Sequence, residues 1–269
     1  MTATLPTRVG IARWTEHELF GRRLYGELLG NVDLGQWIVL GTTGKLLAAE
    51  DSPVVTALAI TLGIIDPRIW PLKVTRVASA FGRFTSGVAC GALLYDSATL
   101  GPHTGTRAAH FLCDVARGRD AGASLEAAVD AAMDRQGAPG FGVPFRDADE
   151  RIVALGGFLR SQGRDARPMW RLLEAITPVV KARKGLPPNI AVGTAAAMMD
   201  IGLGPDDVTP TGFALMQLPQ LANALEGAEQ RPAALQRLAP ERVRYVGRPP
   251  RRSPKATVVD DGGGDATRP

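Results

Sequence analysis

Residues 137–151 read Gly-Ala-Pro-Gly-Phe-Gly-Val-Pro-Phe-Arg-Asp-Ala-Asp-Glu-Arg, and the parsing of the whole chain turns on this stretch. Glycines at 137, 140 and 142 and prolines at 139 and 144 interrupt any helix, so residues 137–149 read as a loop. The pattern on both sides of it is helical. Before it lie helices over 106–117 and 125–135, the second capped by the Ser124 side chain. After it come helical patterns over 150–160, 167–182, 190–199 and 212–225. The chain leans to Ala and Leu, which lead the helix-propensity ranking, and no convincing two-residue alternation marks a strand. The fold class expected is all-α.

Further out, residues 1–7 read as frayed and 9–25 as mixed. Asp33 is a cap for a short amphipathic segment over 34–40. Ser52-Pro53 is a helix start, and 54–64 is apolar nearly all round, the pattern of a central buried helix. Pro67 and Pro71 bracket an irregular turn containing Trp70. Residues 72–97, dense in Ala, Gly and Ser, read as one core helix ended by Gly101-Pro102. Pro205-Asp206-Asp207 and Thr209-Pro210 mark a connection, and 232–238 reads as a short closing helix. From 247 to 269 the chain is Pro-, Gly- and charge-rich and is expected to be a disordered tail.

Composition narrows the function classes. A formal net charge of +4 invites a nucleic-acid reading, but Arg248, Arg251, Arg252 and Lys255 carry much of it in the tail. The remaining charges are Arg/Asp mixtures of a solvated surface, so nucleic acid is not the expected partner and an anionic small ligand fits equally. Cys90 and Cys113 sit in apolar helical stretches, read as buried structural thiols, and no cluster suggests a metal site. The first residues lack an apolar signal core, and no apolar run approaches the roughly 20 residues of a membrane span, so a cytoplasmic protein is expected.

Five segments in order resemble the citrate synthase family, which includes methylcitrate synthases and citryl-CoA lyases. Arg13-Trp-Thr-Glu-His-Glu-Leu-Phe with Gly26-Glu-Leu-Leu-Gly-Asn-Val is similar to the family's N-terminal segment. Gly101-Pro-His-Thr-Gly stands where members carry Gly-Pro-Leu-His-Gly. Gly140-Phe-Gly-Val-Pro-Phe-Arg-Asp-Ala-Asp-Glu-Arg resembles Gly-Phe-Gly-His-Pro-Val-Tyr-Arg-Asp-Gly-Asp-Pro-Arg, and Lys184-Gly-Leu-Pro-Pro-Asn-Ile-Ala resembles Lys-Gly-Leu-Tyr-Pro-Asn-Val-Asp. Val208-Thr-Pro-Thr-Gly-Phe-Ala-Leu-Met-Gln and Tyr245-Val-Gly complete the set. The resemblance implies a large helical domain, 9–104 with 205–246, and a small helical domain, 105–204, inserted into it. It also implies a dimer, homomeric or with a citrate synthase-like subunit, an interdomain cleft for a small carboxylate or acyl-CoA, and no cofactor beyond a CoA thioester as substrate or ligand.

The family's reaction is a Claisen-type condensation that needs a carboxylate base and two histidines. The base position holds Ala191, the carbonyl-polarising histidine matches Val143, and the thioester-oxygen histidine matches Thr104, with His103 one place earlier. Asp66-Pro67-Arg68-Ile69-Trp70 occupies the region of a further histidine motif, and a family arginine matches Gln217. Arg151 matches an arginine that contacts the oxo acid, while Arg146 and Lys184 match basic positions near the CoA phosphates. His103 and Arg151 are therefore the catalytic candidates, and Arg146, Lys184, Asn189, Gln217 and Arg242 the ligand-binding ones; His17 and His110 read as packing or surface residues. Loss of a base alone removes a factor of roughly 10² to 10⁴ in rate. The expected function is a ligand-binding relative with lost or strongly reduced activity. The alternatives are an enzyme of changed chemistry using His103, Arg151 and Asp147 or Asp149, and a helical scaffold or regulatory protein with a basic tail.

Overall fold

Asp33 and Gln36 open the first α-helix, after a π-helical turn at Leu24–Leu28. Asp33 Oδ1 accepts the Gln36 N–H at 2.9 Å and Gln36 Oε1 accepts the Asp33 N–H at 3.1 Å, a reciprocal cap that satisfies two donors at the start of α1 (Leu34–Thr43). Gly44, at φ 74°, ends it in the left-handed conformation. The computed structural model describes residues 4–95, 97, 101–144, 146–230 and 239–248. Ten further α-helices follow among these residues: α2 (Ser52–Leu62), α3 (Trp70–Phe81), α4 (Phe84–Tyr95), α5 (His103–Asp120), α6 (Leu125–Gln136), α7 (Glu150–Ser161), α8 (Pro168–Lys184), α9 (Ile190–Asp200), α10 (Pro205–Leu215) and α11 (Gln217–Glu229). The helical class stands as read, and so does the 137–149 loop over its described residues. The chain forms two compact units, residues 1–232 and 233–269. The second is described over 239–248 and holds a 3₁₀ turn, Pro240–Arg242. The expected helix over 232–238 and the tail from 249 lie outside the described residues.

Five expectations are corrected, the fifth being the burial of the cysteines. The mixed N-terminal segment is a small antiparallel sheet, β1 (Gly10–Ala12), β2 (His17–Leu19) and β3 (Arg22–Arg23), where no strand was expected. Two or three residues are too few to display alternation. The β2–β3 turn has positive φ at both Phe20 (48°) and Gly21 (76°), as a tight hairpin turn demands. Second, 72–97 is two helices, because the chain leaves helical geometry at Gly82 (φ −131°, ψ −136°) and folds α4 back against α3. Third, Pro205 and Pro210 belong to α10 instead of a connection. Pro205 occupies the first turn, where a missing N–H is harmless, and Asp207 Oδ2 accepts the Gly204 N–H at 2.7 Å. Fourth, α2 is not buried all round: Val54, Val55 and Leu58 are, but Ile60 is 74% exposed.

The centre of the first unit is α9, which touches α2, α5, α7, α8 and α10. Its sequence is Ala-rich with Gly193 near its start, and Ile190 and Val192 through Met198 are all buried. Small side chains allow this: a Cβ at Gly193 would stand 2.8 Å from Ile152 Cγ1. A second group, α3, α4 and α11, packs mutually. The cysteines, expected to be buried, are half-buried.

Candidate functional site

Two stretches carry the site to one place. The loop 137–144 lies against the strand-like approach to α9: Phe141 pairs with Pro188, Gly142 N–H donates to Pro187 O at 2.7 Å, and Asn189 N–H donates to Gly140 O at 2.8 Å. Asn189 clamps the junction further, donating from Nδ2 to Gly142 O (2.9 Å) while its Oδ1 accepts the Ala191 N–H (2.9 Å) and so caps α9. Gly140 is required here. Its φ is +82°, and a Cβ would fall 2.6 Å from Val192 Cβ and 2.9 Å from Val192 N.

A cleft of about 500 Å³ opens between this junction, the first turn of α5 and the wall of α10. That is within the range of small-molecule sites. Thr104, Val143 and Ala191, the three positions matched to the family's histidines and base, all line it, together with Arg151 and Asn189. Leu62, Ile64, Phe141, Ile190, Val208 and Met216 give it an apolar surface. Other candidates fall elsewhere. His103 is the exposed first residue of α5 and is not among the lining residues. Arg146 is exposed and ion-paired to Glu150 at 2.5 Å. Lys184 ends α8, exposed. Gln217 begins α11 and donates to Phe213 O at 2.8 Å. Arg242 lies in the second unit. His17 meets Tyr25 Oη through Nδ1 at 3.1 Å, and exposed His110 lies 3.6 Å from Asp206.

Asp149 is the carboxylate that lines the cleft among the described residues, and its lone pairs are occupied. Oδ1 accepts from Arg151 Nε (2.8 Å) and Arg151 N (3.1 Å); Oδ2 accepts from Arg151 Nη2 (2.8 Å) and Ile190 N (2.8 Å). Burial pushes its carboxyl up. The bonds from Arg151 and Ile190 and the Arg151 charge outweigh that and hold it below the usual aspartate range. An ionised carboxylate bound by four donors fixes the loop to α9 and is unsuited to take up a proton. Asp147 is exposed. Asp200 caps α8, accepting from Met169 N and Trp170 N at 2.8 Å each, and burial raises its carboxyl in spite of those bonds.

Three polar lining residues were not foreseen: Arg107, Gln136 and Thr194. Helical spacing held the only signal for Arg107, three residues after Thr104 on the same face of α5. Among the described residues no group of three or more His, Cys, Asp or Glu is placed to hold a metal ion, and no helix is long and apolar enough to cross a membrane.

No family model matches this sequence, and no curated protein matches it. Solved structures do. A citryl-CoA lyase from Hydrogenobacter thermophilus superposes with a TM-score of 0.77 at 22% identity, over 94% of this chain and 98% of that one. An ATP citrate lyase from Methanothrix soehngenii, in complex with citrate and coenzyme A, gives 0.71 at 19% identity over 93% of this chain, which spans 42% of that one. A citrate synthase from Thermoplasma acidophilum gives 0.58 at 16% identity over 82% of this chain and 58% of that one. The helices, their order and their packing are therefore those of the citrate synthase-like fold.

Proposed function

We propose that the chain is a divergent citrate synthase-like protein whose cleft binds an acyl-CoA or small carboxylate and whose Claisen-condensation activity is lost or strongly reduced. The observation that carries this is chemical. The cleft wall presents Val143 and Ala191 where the resemblance puts a histidine and a base, and its carboxylate, Asp149, is engaged by four donors. Neither valine nor alanine exchanges a proton, and the roles they vacate act as a unit in such a reaction. The reading includes the division into 9–104 with 205–246 and 105–204, a cytoplasmic location, and a dimer formed with itself or with an active relative. The dimer reading draws on exposed apolar residues of one packed group of helices: Phe81 (59%) on α3, Phe84 (38%) and Leu93 (76%) on α4, and Leu218 (68%) and Leu225 (46%) on α11. A subunit contact would remove such side chains from water.

The near-complete coverage of a citryl-CoA lyase favours a second reading, cleavage of a citryl-CoA-type thioester. One experiment separates them. Purified protein is incubated with acetyl-CoA and oxaloacetate, and separately with citryl-CoA, and free CoA thiol is followed against an enzyme-free control. No release, in protein whose melting temperature rises with CoA thioesters or carboxylates, supports the binding reading. Release from citryl-CoA well above the control establishes the lyase reading instead.

A further inference from the structure

The titratable groups lining the cleft, among the described residues, are Arg107, Asp149 and Arg151. Asp149 and Arg151 neutralise each other in a two-pronged ion pair. Arg107 makes no hydrogen bond or ion pair with any described residue. Among the described residues the cleft therefore carries one uncompensated positive charge, that of Arg107. The first turn of α5 lies beside it: Pro102, Thr104 and Gly105 line the cleft. The start of α9 is already closed by Asp149 and Asn189. A second observation points the same way. Thr194, one turn along α9 from Ala191, lines the cleft and is 3% exposed, yet its Oγ1 has no hydrogen-bond partner among the described residues. A buried hydroxyl without a partner is unfavourable by itself and gains when a ligand supplies one.

Leu62, Ile64, Val143, Ala191, Val208 and Met216 make much of the remaining wall hydrocarbon, with uncharged Thr104, Gln136 and Asn189 among them. A single cation on an apolar wall matches a ligand with one anionic group and a hydrocarbon body. A tricarboxylate brings three charges, and two of them would meet no uncompensated cation. We infer that the cleft is selective for an amphiphilic mono-anion, a carboxylate with an aliphatic chain, with Arg107 holding the anionic group and Thr194 bonding a polar atom of the ligand. This names the ligand class of the cleft and rests on the reading that the cleft binds a carboxylate or acyl ligand.

The test is calorimetric titration of the full chain with acetate, butanoate, hexanoate, hexanamide and citrate. Hexanoate is expected to bind best, each buried methylene strengthening binding by about fourfold. Hexanamide, without the charge, binds at least about tenfold more weakly. Arg107→Gln weakens hexanoate by about tenfold or more and erases its advantage over hexanamide, whereas Arg107→Lys retains part of it. Arg117→Gln, on the same helix but paired with Asp114, leaves binding unchanged. Thr194→Val weakens hexanoate by about threefold while raising the melting temperature of the free protein, opposite signs that a purely structural threonine would not produce. Citrate binding tighter than hexanoate, or hexanoate binding equally to Arg107→Gln, overturns the inference while the carboxylate-site reading stands. Absence of binding by every carboxylate and by CoA thioesters overturns both.

Discussion

The helices around α9 and the group α3, α4 and α11 are both close-packed, but they solve burial differently. Around α9, contact is made by apolar and small residues, the carboxylates at its two ends are hydrogen-bonded to helix starts, and Thr194 alone is left without a partner among the described residues. In the other group four buried polar atoms lack partners among the described residues: Thr75 Oγ1, Ser79 Oγ, Tyr95 Oη and Gln220 Oε1. The Thr75 and Ser79 hydroxyls face glycines. A Cβ at Gly87 would stand 1.8 Å from Ser79 Oγ, and one at Gly91 2.0 Å from Thr75 Oγ1. Gln220 is half satisfied, donating to Val88 O at 2.8 Å, and burial pushes the Tyr95 phenol up to about 12. The first region is governed by volume and the second by unmet polarity, so opposite substitutions should stabilise them.

The largest expected effect tests the volume side. Gly140→Ala places a Cβ against Val192 backbone at positive φ, and should destabilise by about 4 kcal/mol in urea unfolding. A change under about 1 kcal/mol would show that the loop–α9 junction is not tightly fitted. Next is Asp149→Asn, expected to remove about 2 kcal/mol at neutral pH; Arg151 is 38% exposed and partly rehydrates, which limits the loss. The Asp149 carboxyl is lowered in the fold, so its contribution is present above the ordinary aspartate range and disappears as pH falls through the folded value. Wild-type stability should therefore drop at acid pH more steeply than that of Asp149→Asn; parallel acid limbs would remove the ion pair from the account.

On the polarity side, Ser79→Ala deletes an unpartnered hydroxyl and should stabilise by about 1 kcal/mol, where a core truncation normally destabilises. Destabilisation there would mean that the hydroxyl has a partner in solution. The smallest effect on folding is expected from Leu93→Asp on the exposed face of α4, within about 0.5 kcal/mol for the isolated subunit. Its readout is sedimentation: a dimer reduced to a monomer supports the proposed contact, and a wild-type monomer refutes it.

Legibility in the sequence followed the range of the interactions. Helix starts written in one or two residues were readable: Asp33, Ser52-Pro53 and Ser124 all begin helices where expected. The break at Gly82 and the helicity of Pro205–Leu215 were not. Both depend on which partner helix rewards the backbone for bending or continuing, and propensity does not contain that term. The three-residue strands were invisible because alternation needs more positions than they have.

For the site, residue chemistry alone determined that positions 143 and 191 hold no proton-transfer group, since no fold gives valine or alanine an ionisable atom. Only the tertiary structure decided which polar groups remain for a ligand. Asp149 looked available in the sequence, but Arg151 and Ile190 occupy it, and 41 residues separate it from that last donor. Arg107 and Thr194 drew no reading from the sequence, and they emerge as unpartnered polar groups of the cleft among the described residues. Whether a group is already bonded depends on neighbours distant in the chain, and those neighbours are set by packing rather than by local sequence.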